Sequence, residues 1–171
     1  MTPEEVIAEA KARARANFKT GLNCAESVFE AVLSQIDTGL PNEIMCVMTG
    51  FGGGGGHFGD TCGALVGAMA VLGAVYGRRA VPADAKTARE ELHGTPGLYR
   101  LFNRLPNEFT QRFGSTQCRL LTSQWRTTWH CKDHLLFCRN LVIEAAGLAA
   151  SMSAPKDLAR WGSLPFGLQH P

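Results

Sequence analysis

Residues 50–73 read GFGGGGGHFGDTCGALVGAMAVLG. This stretch constrains the fold more than any other. Five consecutive glycines lose more backbone freedom on folding than any other residue type, so the run is costly unless bare backbone must come close to something. The next segment, Cys62 to Tyr76, has helix length and is rich in Ala, Leu and Met. Its glycines at 63, 67 and 73 cost about 1 kcal/mol each in helix propensity. A helix that accepts that cost is expected to be buried and crossed tightly by its neighbours.

The rest of the chain keeps helical period. Thr2, Pro3 and Glu5 form a capping box with proline at the first helical position. Val6, Ala10, Ala14 and Phe18 continue that helix to about Asn17 or Phe18, where TGLN breaks it. Asn23 with Glu26 is a second box, opening a helix with Val28, Phe29, Val32, Leu33 and Ile36 inward. Residues 42–48 read as a short helix or turn, and 78–96 as a charged helix ending in the loop HGTPG. Further helices are expected at 98–112, 116–122, 130–150 and 156–161. No segment alternates apolar and polar residues over a strand's length. The expectation is an all-α, compact multi-helix bundle around a central buried glycine-rich helix. One domain spans 1–150, and the tail 151–171 packs through Trp161 and Phe166 on the domain or on a second subunit, a possible homodimer.

Composition excludes several classes. With 17 basic and 15 acidic residues the net charge is +2, too small to drive nucleic-acid binding or adhesion to an anionic membrane. The basic run KARARANFK reads as a solvated helix face. MTPEEVIAEA lacks the apolar core of a secretory signal, and Cys62–Tyr76 is shorter than the roughly 18 residues of a membrane span. A cytoplasmic location is therefore expected. Thiols stay reduced there, so the six cysteines read as ligands, redox groups or core residues rather than disulfides.

Cysteine placement carries the functional signal. Cys24 follows the cap Asn23; Cys62 follows Asp60-Thr61, either of which can cap; Cys118 comes three residues after Ser115. All three are thus expected in helix first turns, where free amides favour thiolate and lower a thiol's pKa. Cys131, His134 and Cys138 follow a C-x₂-H-x₃-C spacing that shares one helical face. Each alone can be an ordinary core cysteine or hydrogen-bonded histidine. The glycine run fails the phosphate-loop pattern, because no strand precedes it and no Lys-Ser/Thr comes after it, and it lacks the βαβ context of a dinucleotide site. It reads instead as a loop, formed by Gly54, Gly55, Gly56 and His57 and continued at Gly63, that lays bare backbone against an inorganic group or thiol cluster. A flexible surface turn is the alternative. His57 and Asp60 could be a proton donor and acceptor, or simply bond backbone and cap a helix. No Ser-His-Asp order or carboxylate pair argues for an enzyme.

Asn23-Cys24-Ala25, the glycine loop with Cys62-Gly63-Ala64-Leu65-Val66-Gly67, Phe113-Gly114-Ser115 with Cys118-Arg119-Leu120-Leu121, and Cys138 with Leu141-Val142 and Ala145-Ala146 occur in that order. Together, over roughly residues 15–148, they resemble the redox-active family named for its C, C-G-A-x-x-G, C, C signature. The resemblance implies that Cys24, Cys62, Cys118 and Cys138 are the functional cysteines, with Cys46 and Cys131 extra and Cys131 near enough in sequence to compete with Cys138. A related domain in split-Soret cytochromes is associated with an iron–sulfur cluster, so the implied cofactor is a [2Fe–2S] or [4Fe–4S] cluster serving electron transfer or redox sensing with a redox partner protein. No C-x-x-C-H is present, so haem is not implied. Metal-free thiol–disulfide chemistry led by a low-pKa Cys62 and resolved by Cys24, and structural zinc on the same four thiolates, are the competing readings.

Overall fold

The structure is a computed structural model and describes residues 1–153. The expected helix at 156–161 and the packing of Trp161 and Phe166 lie outside the described residues.

Helix α1 (Pro3–Thr20) opens on the capping box read from the sequence: the Glu5 amide donates to the Thr2 hydroxyl, and Glu5 reaches back to the Thr2 amide. It runs a few residues past the expected end and stops at Gly21, which takes a left-handed φ of 104°. Helix α2 (Cys24–Leu33) starts at the second box, with Asn23 Oδ1 accepting from the amides of Ala25 and Glu26. A 3₁₀ helix, Asn42–Phe51, then leads into the single turn α3 (Gly52–Gly55). After it come α4 (Gly63–Tyr76), α5 (Ala85–His93), α6 (Leu98–Phe113), the single turn α7 (Cys118–Leu121) and the long α8 (Lys132–Ser153). Residues 151–153 continue α8 instead of starting a tail.

Two expected helices are shorter than the sequence suggests. The 78–96 segment is helical only after Asp84, whose carboxylate accepts the amides of Lys86 and Thr87. The 116–122 helix shrinks to one turn because residues 116–119 spend backbone groups on pairing with 59–62. Among the described residues there is no strand, only an isolated antiparallel bridge between Thr61 and Gln117.

Helix α4 is the central element. It packs against α2, α8 and α6, and eight of its residues are buried, from Gly63 through Ala74. Gly67 explains how α2 comes so near: a Cβ there would collide with the Ala25 carbonyl. The glycine cost is offset by this close crossing. Helix α8 is long and apolar enough to span a bilayer by length and composition, but more than half of that window is buried against the other helices. Its packed face, Leu141, Val142, Ala145, Ala146 and Ala149, is core. Arg13 on α1 pairs with Glu30 on α2, which also accepts from Asn17. Those bonds hold the Glu30 carboxyl below its ordinary range despite partial burial.

Two substitutions on α4 separate crossing from propensity. Gly67→Ala is expected to lose about 1–3 kcal/mol in urea unfolding, because the added methyl forces α2 away. Gly73→Ala, where an added Cβ meets nothing within 4 Å, is expected to gain up to about 1 kcal/mol. Equal effects would show that α4 does not set the spacing.

Candidate metal centre

Backbone pairing builds the site. The Cys118 amide donates to the Asp60 carbonyl at 2.7 Å and the Cys62 amide to the Thr116 carbonyl at 2.8 Å, flanking the Thr61–Gln117 bridge. The Arg119 amide and Nε both donate to the Gly59 carbonyl, at 2.9 and 3.0 Å. Segment 59–62 is thereby clamped along 116–119, and Cys62 is brought beside Cys118 although they are remote in sequence.

The structure corrects three expectations about where cysteines and caps fall. Cys62 is itself the N-cap residue of α4 instead of lying in its first turn, since Asp60 and Thr61 are extended and committed to the pairing. Gln117, not Ser115, precedes α7; the Ser115 hydroxyl accepts the Gln117 amide instead. Cys131 does not share a helical face with Cys138. It sits just before α8, where its sulfur accepts the His134 amide at 3.4 Å, as an N-cap side chain does. Cys24, at the first position of α2, and Cys118, at the first position of α7, lie in first turns as the sequence put them.

The glycine run is ordered by its own geometry. Gly53, Gly54, Gly55, Gly56, His57 and Gly59 all have φ between 60° and 87°, a region open to glycine and strained for other residues. The loop folds onto itself through bonds from the Gly59 amide to the Gly53 carbonyl and from the Asp60 amide to the Gly54 carbonyl, both 3.0 Å. A Cβ on Gly54 would lie 2.7 Å from the Asp60 nitrogen and 2.8 Å from Cys118 Cβ. One on Gly63 would lie 2.6 Å from the Phe51 carbonyl and 3.2 Å from Cys24 Cβ. Bare backbone is what lets the loop, Cys24, Cys62 and Cys118 assemble, so the flexible-turn alternative falls.

The result is a half-enclosed cavity of about 280 Å³. Cys24, Cys62, Cys118 and Cys138 all line it, as do Gly53, Gly56, His57 and Gly63. Gly54 is buried behind this wall and Gly55 points away, with nothing within 4 Å of an added Cβ. Cys46 is exposed and Cys131 is half-buried; neither lines the cavity. All six cysteines are free thiols. Asp60 stays outside, its backbone spent on the clamp.

The electrostatics reverse one expectation. Amides do aim at the sulfurs: that of Gly53 at Cys24, and those of Ala64 and Leu65 at Cys62. Burial outweighs them, pushing the Cys24 thiol up to about 11 and Cys62 up to about 12 from an ordinary 9.0. Cys118 and Cys138 are raised too, first by burial, and thiolates at Cys24, Cys62 and Cys118 would each repel one at Cys138. The four sulfurs are therefore close enough to feel one another. A low-pKa nucleophile at Cys62 is not what this site provides.

His134 is a satisfied core histidine. Its Nδ1 meets the Trp129 carbonyl, which can only accept, so Nδ1 carries the proton and Nε2 faces Cys138 Sγ at 3.3 Å. Its ring packs between Trp125 and Trp129, and the Trp129 edge meets His57 with centroids 5.3 Å apart. Trp129, Phe18, Leu121 and Thr122 were missed as cavity walls. The pair of tryptophans four residues apart, just ahead of His134, was the available signal. Among the described residues no three Cys, His, Asp or Glu side chains are arranged to grip a single metal ion. The four sulfurs share one cavity.

A family profile described as "Putative redox-active protein (C_GCAxxG_C_C)" matches residues 22–152. The chain belongs to that family. No curated protein and no solved structure matches it. In C_GCAxxG_C_C terms, the four signature cysteines and the first glycine of the G-A-x-x-G run, Gly63, line a single cavity, while its second glycine, Gly67, admits the close approach of α2.

The raised thiols give a pH dependence. Above pH 9 the unfolded chain loses thiol protons that the folded, metal-free protein keeps until about pH 11–12, so stability falls as pH rises through that window. Reduced, metal-free protein is expected to lose at least about 2 kcal/mol between pH 8 and pH 10.5 in urea unfolding, each raised thiol contributing up to about 1.4 kcal/mol per pH unit. A Cys24→Ser/Cys62→Ser variant should show a flatter profile; identical profiles would contradict the burial of these sulfurs.

Proposed function

We propose that the four-cysteine cavity holds an iron–sulfur cluster, [2Fe–2S] or [4Fe–4S], and that the protein transfers or senses electrons through it. The observation that carries this reading is that cysteines from four separate elements line one cavity of about 280 Å³ while the two extra cysteines do not. The donor set suits the group, since thiolates are the usual ligands of such clusters. A cluster divides its four thiolate ligands among two or four irons, and four cysteines lining one cavity supply that number. Structural zinc requires four ligands converging on one ion at about 2.3 Å, and among the described residues no three such side chains are so arranged. When bound, the cluster would supply one-electron chemistry.

The chain's own residues then have distinct tasks. Cys24, Cys62, Cys118 and Cys138 hold the group. The amides of Gly53, Ala64 and Leu65, directed at the first two sulfurs, stabilise negative charge on them and so tune the potential. Phe18, Leu121, Leu141 and Trp129 exclude water from the inner wall. Before any metal binds, the Cys138 thiol donates to His134 Nε2, whose ring is fixed by the Trp129 carbonyl, and this holds Cys138 in position. A reducing compartment such as the cytoplasm, which keeps thiols free, is part of the same proposal.

Metal-free disulfide exchange is less well supported. A thiol with a pKa of about 12 is almost wholly protonated at neutral pH, and the attacking species is the thiolate.

Protein purified without oxygen from iron-replete cells is expected to be brown, with about two or four irons and equal acid-labile sulfide per chain. Serine at 24, 62, 118 or 138 should cut the iron content sharply, whereas Cys46→Ser and Cys131→Ser should keep it. Colourless protein carrying one zinc per chain would overturn the proposal.

A further inference from the structure

We infer that the outer face of segment 119–139, which closes one side of the cysteine cavity, is the docking surface for an acidic electron-transfer protein; the inference rests on the redox reading above.

Charge is distributed unevenly along this chain. Segment 119–139 carries Arg119, Arg126, Lys132 and Arg139 against Asp133 alone, which leaves 13 basic and 14 acidic residues in the remainder. All the ion pairs recorded among the described residues lie outside this segment, joining Lys11 and Arg112 to Glu144, Arg13 to Glu30, Arg78 to Glu91, Lys86 to Glu90 and Arg104 to Glu108. The segment's cations are thus left without carboxylate partners beside a redox candidate site. Arg119 is held in place, its Nε on the Gly59 carbonyl at 3.0 Å and its guanidinium 5.2 Å from the Phe58 ring centre.

Apolar side chains are exposed among these cations. Phe58 is 72% exposed, Leu120 56% and Leu135 46%. Leu135 also lines the cavity, so at this face one side chain reaches from the cysteine site to solvent. A basic rim with exposed apolar contacts beside the cavity is what an electron donor or acceptor needs: charge steers the encounter and the leucines hold it.

Other occupants fit less well. The chain's own residues 154–171 contain Lys156 and Arg160 against Asp157, so they offer no net negative charge to match this surface. A second copy would set the same cations against each other, which costs rather than contributes. Nucleic acid could use the cations but not the leucines, and the chain's net charge of +2 gives it little pull.

The test is calorimetric titration of the full-length protein with an oxidised, acidic plant-type ferredoxin as probe, at 20 and 300 mM salt. Binding should weaken about tenfold or more with salt, and about as much at low salt in an Arg126→Glu/Lys132→Glu variant. Both residues are exposed and outside the cavity wall, and a circular-dichroism melt confirms that the variant folds. A basic cytochrome should bind only the reversed variant. No ferredoxin binding at low salt, or binding indifferent to the charge reversal, overturns the inference. So does tenfold tighter binding in Trp161→Ala/Phe166→Ala protein, which would place the tail on this face, or equal affinity for a single-stranded oligonucleotide. Iron counts on the same samples keep the two readings apart. Iron-free protein with charge-dependent binding sustains the surface and sinks the cluster; iron-loaded protein that ignores the reversal does the opposite.

Discussion

The site depends on a short stretch of backbone pairing. Segment 59–62 lies along 116–119 through amide–carbonyl bonds at both ends of the Thr61–Gln117 bridge. Each such bond contributes only about 1 kcal/mol, but together they fix the register that sets Cys62 beside Cys118. The pairing consumes residues that would otherwise cap or extend helices. That is why α7 is a single turn and why Cys62 caps α4 instead of entering it. The glycine loop is the counterpart: its left-handed turns let the chain double back within a few residues of α4, and the missing Cβ at Gly54 leaves room for Cys118.

Around this clamp the helices act as a frame. Helix α2 delivers Cys24 and crosses α4 closely at Gly67, while α8 delivers Cys138 and walls the core with its remaining length. The frame also holds sulfur in a place that disfavours bare thiolate. Amides at Gly53, Ala64 and Leu65 pull the thiol pKa values down, burial pushes them up further, and neighbouring sulfurs add repulsion. A buried group of mutually repelling acids is stabilised by a cation that they share, and this is the physical reason to look for a metal cofactor here.

Much of this was legible in the sequence where the signal was local. The boxes at Thr2–Glu5 and Asn23–Glu26 named two helix starts, and the apolar composition after Cys62 named the central helix. The order of cysteines and glycines pointed to the site. What could not be read was non-local: that Asp60 and Thr61 would pair with 116–119 instead of capping, or that Cys131 would cap α8 and leave Cys138 to the cavity. Cap propensity competes with tertiary pairing, and only the fold says which wins. The thiol pKa values failed for a related reason, since a helix terminus is visible in sequence but desolvation is not. Trp129 is marked in the sequence only by its spacing from Trp125 ahead of His134; that it lies against both His57 and His134 follows only from the fold.

The central claim is that Cys24, Cys62, Cys118 and Cys138 surround one iron-containing group. X-ray absorption at the iron edge of anaerobically prepared protein tests it most directly. The account predicts an iron shell made of sulfur with a second, nearby iron scatterer, and loss of that pattern in Cys62→Ser protein. An iron shell of oxygen or nitrogen, with no iron neighbour and no response to that substitution, would contradict it.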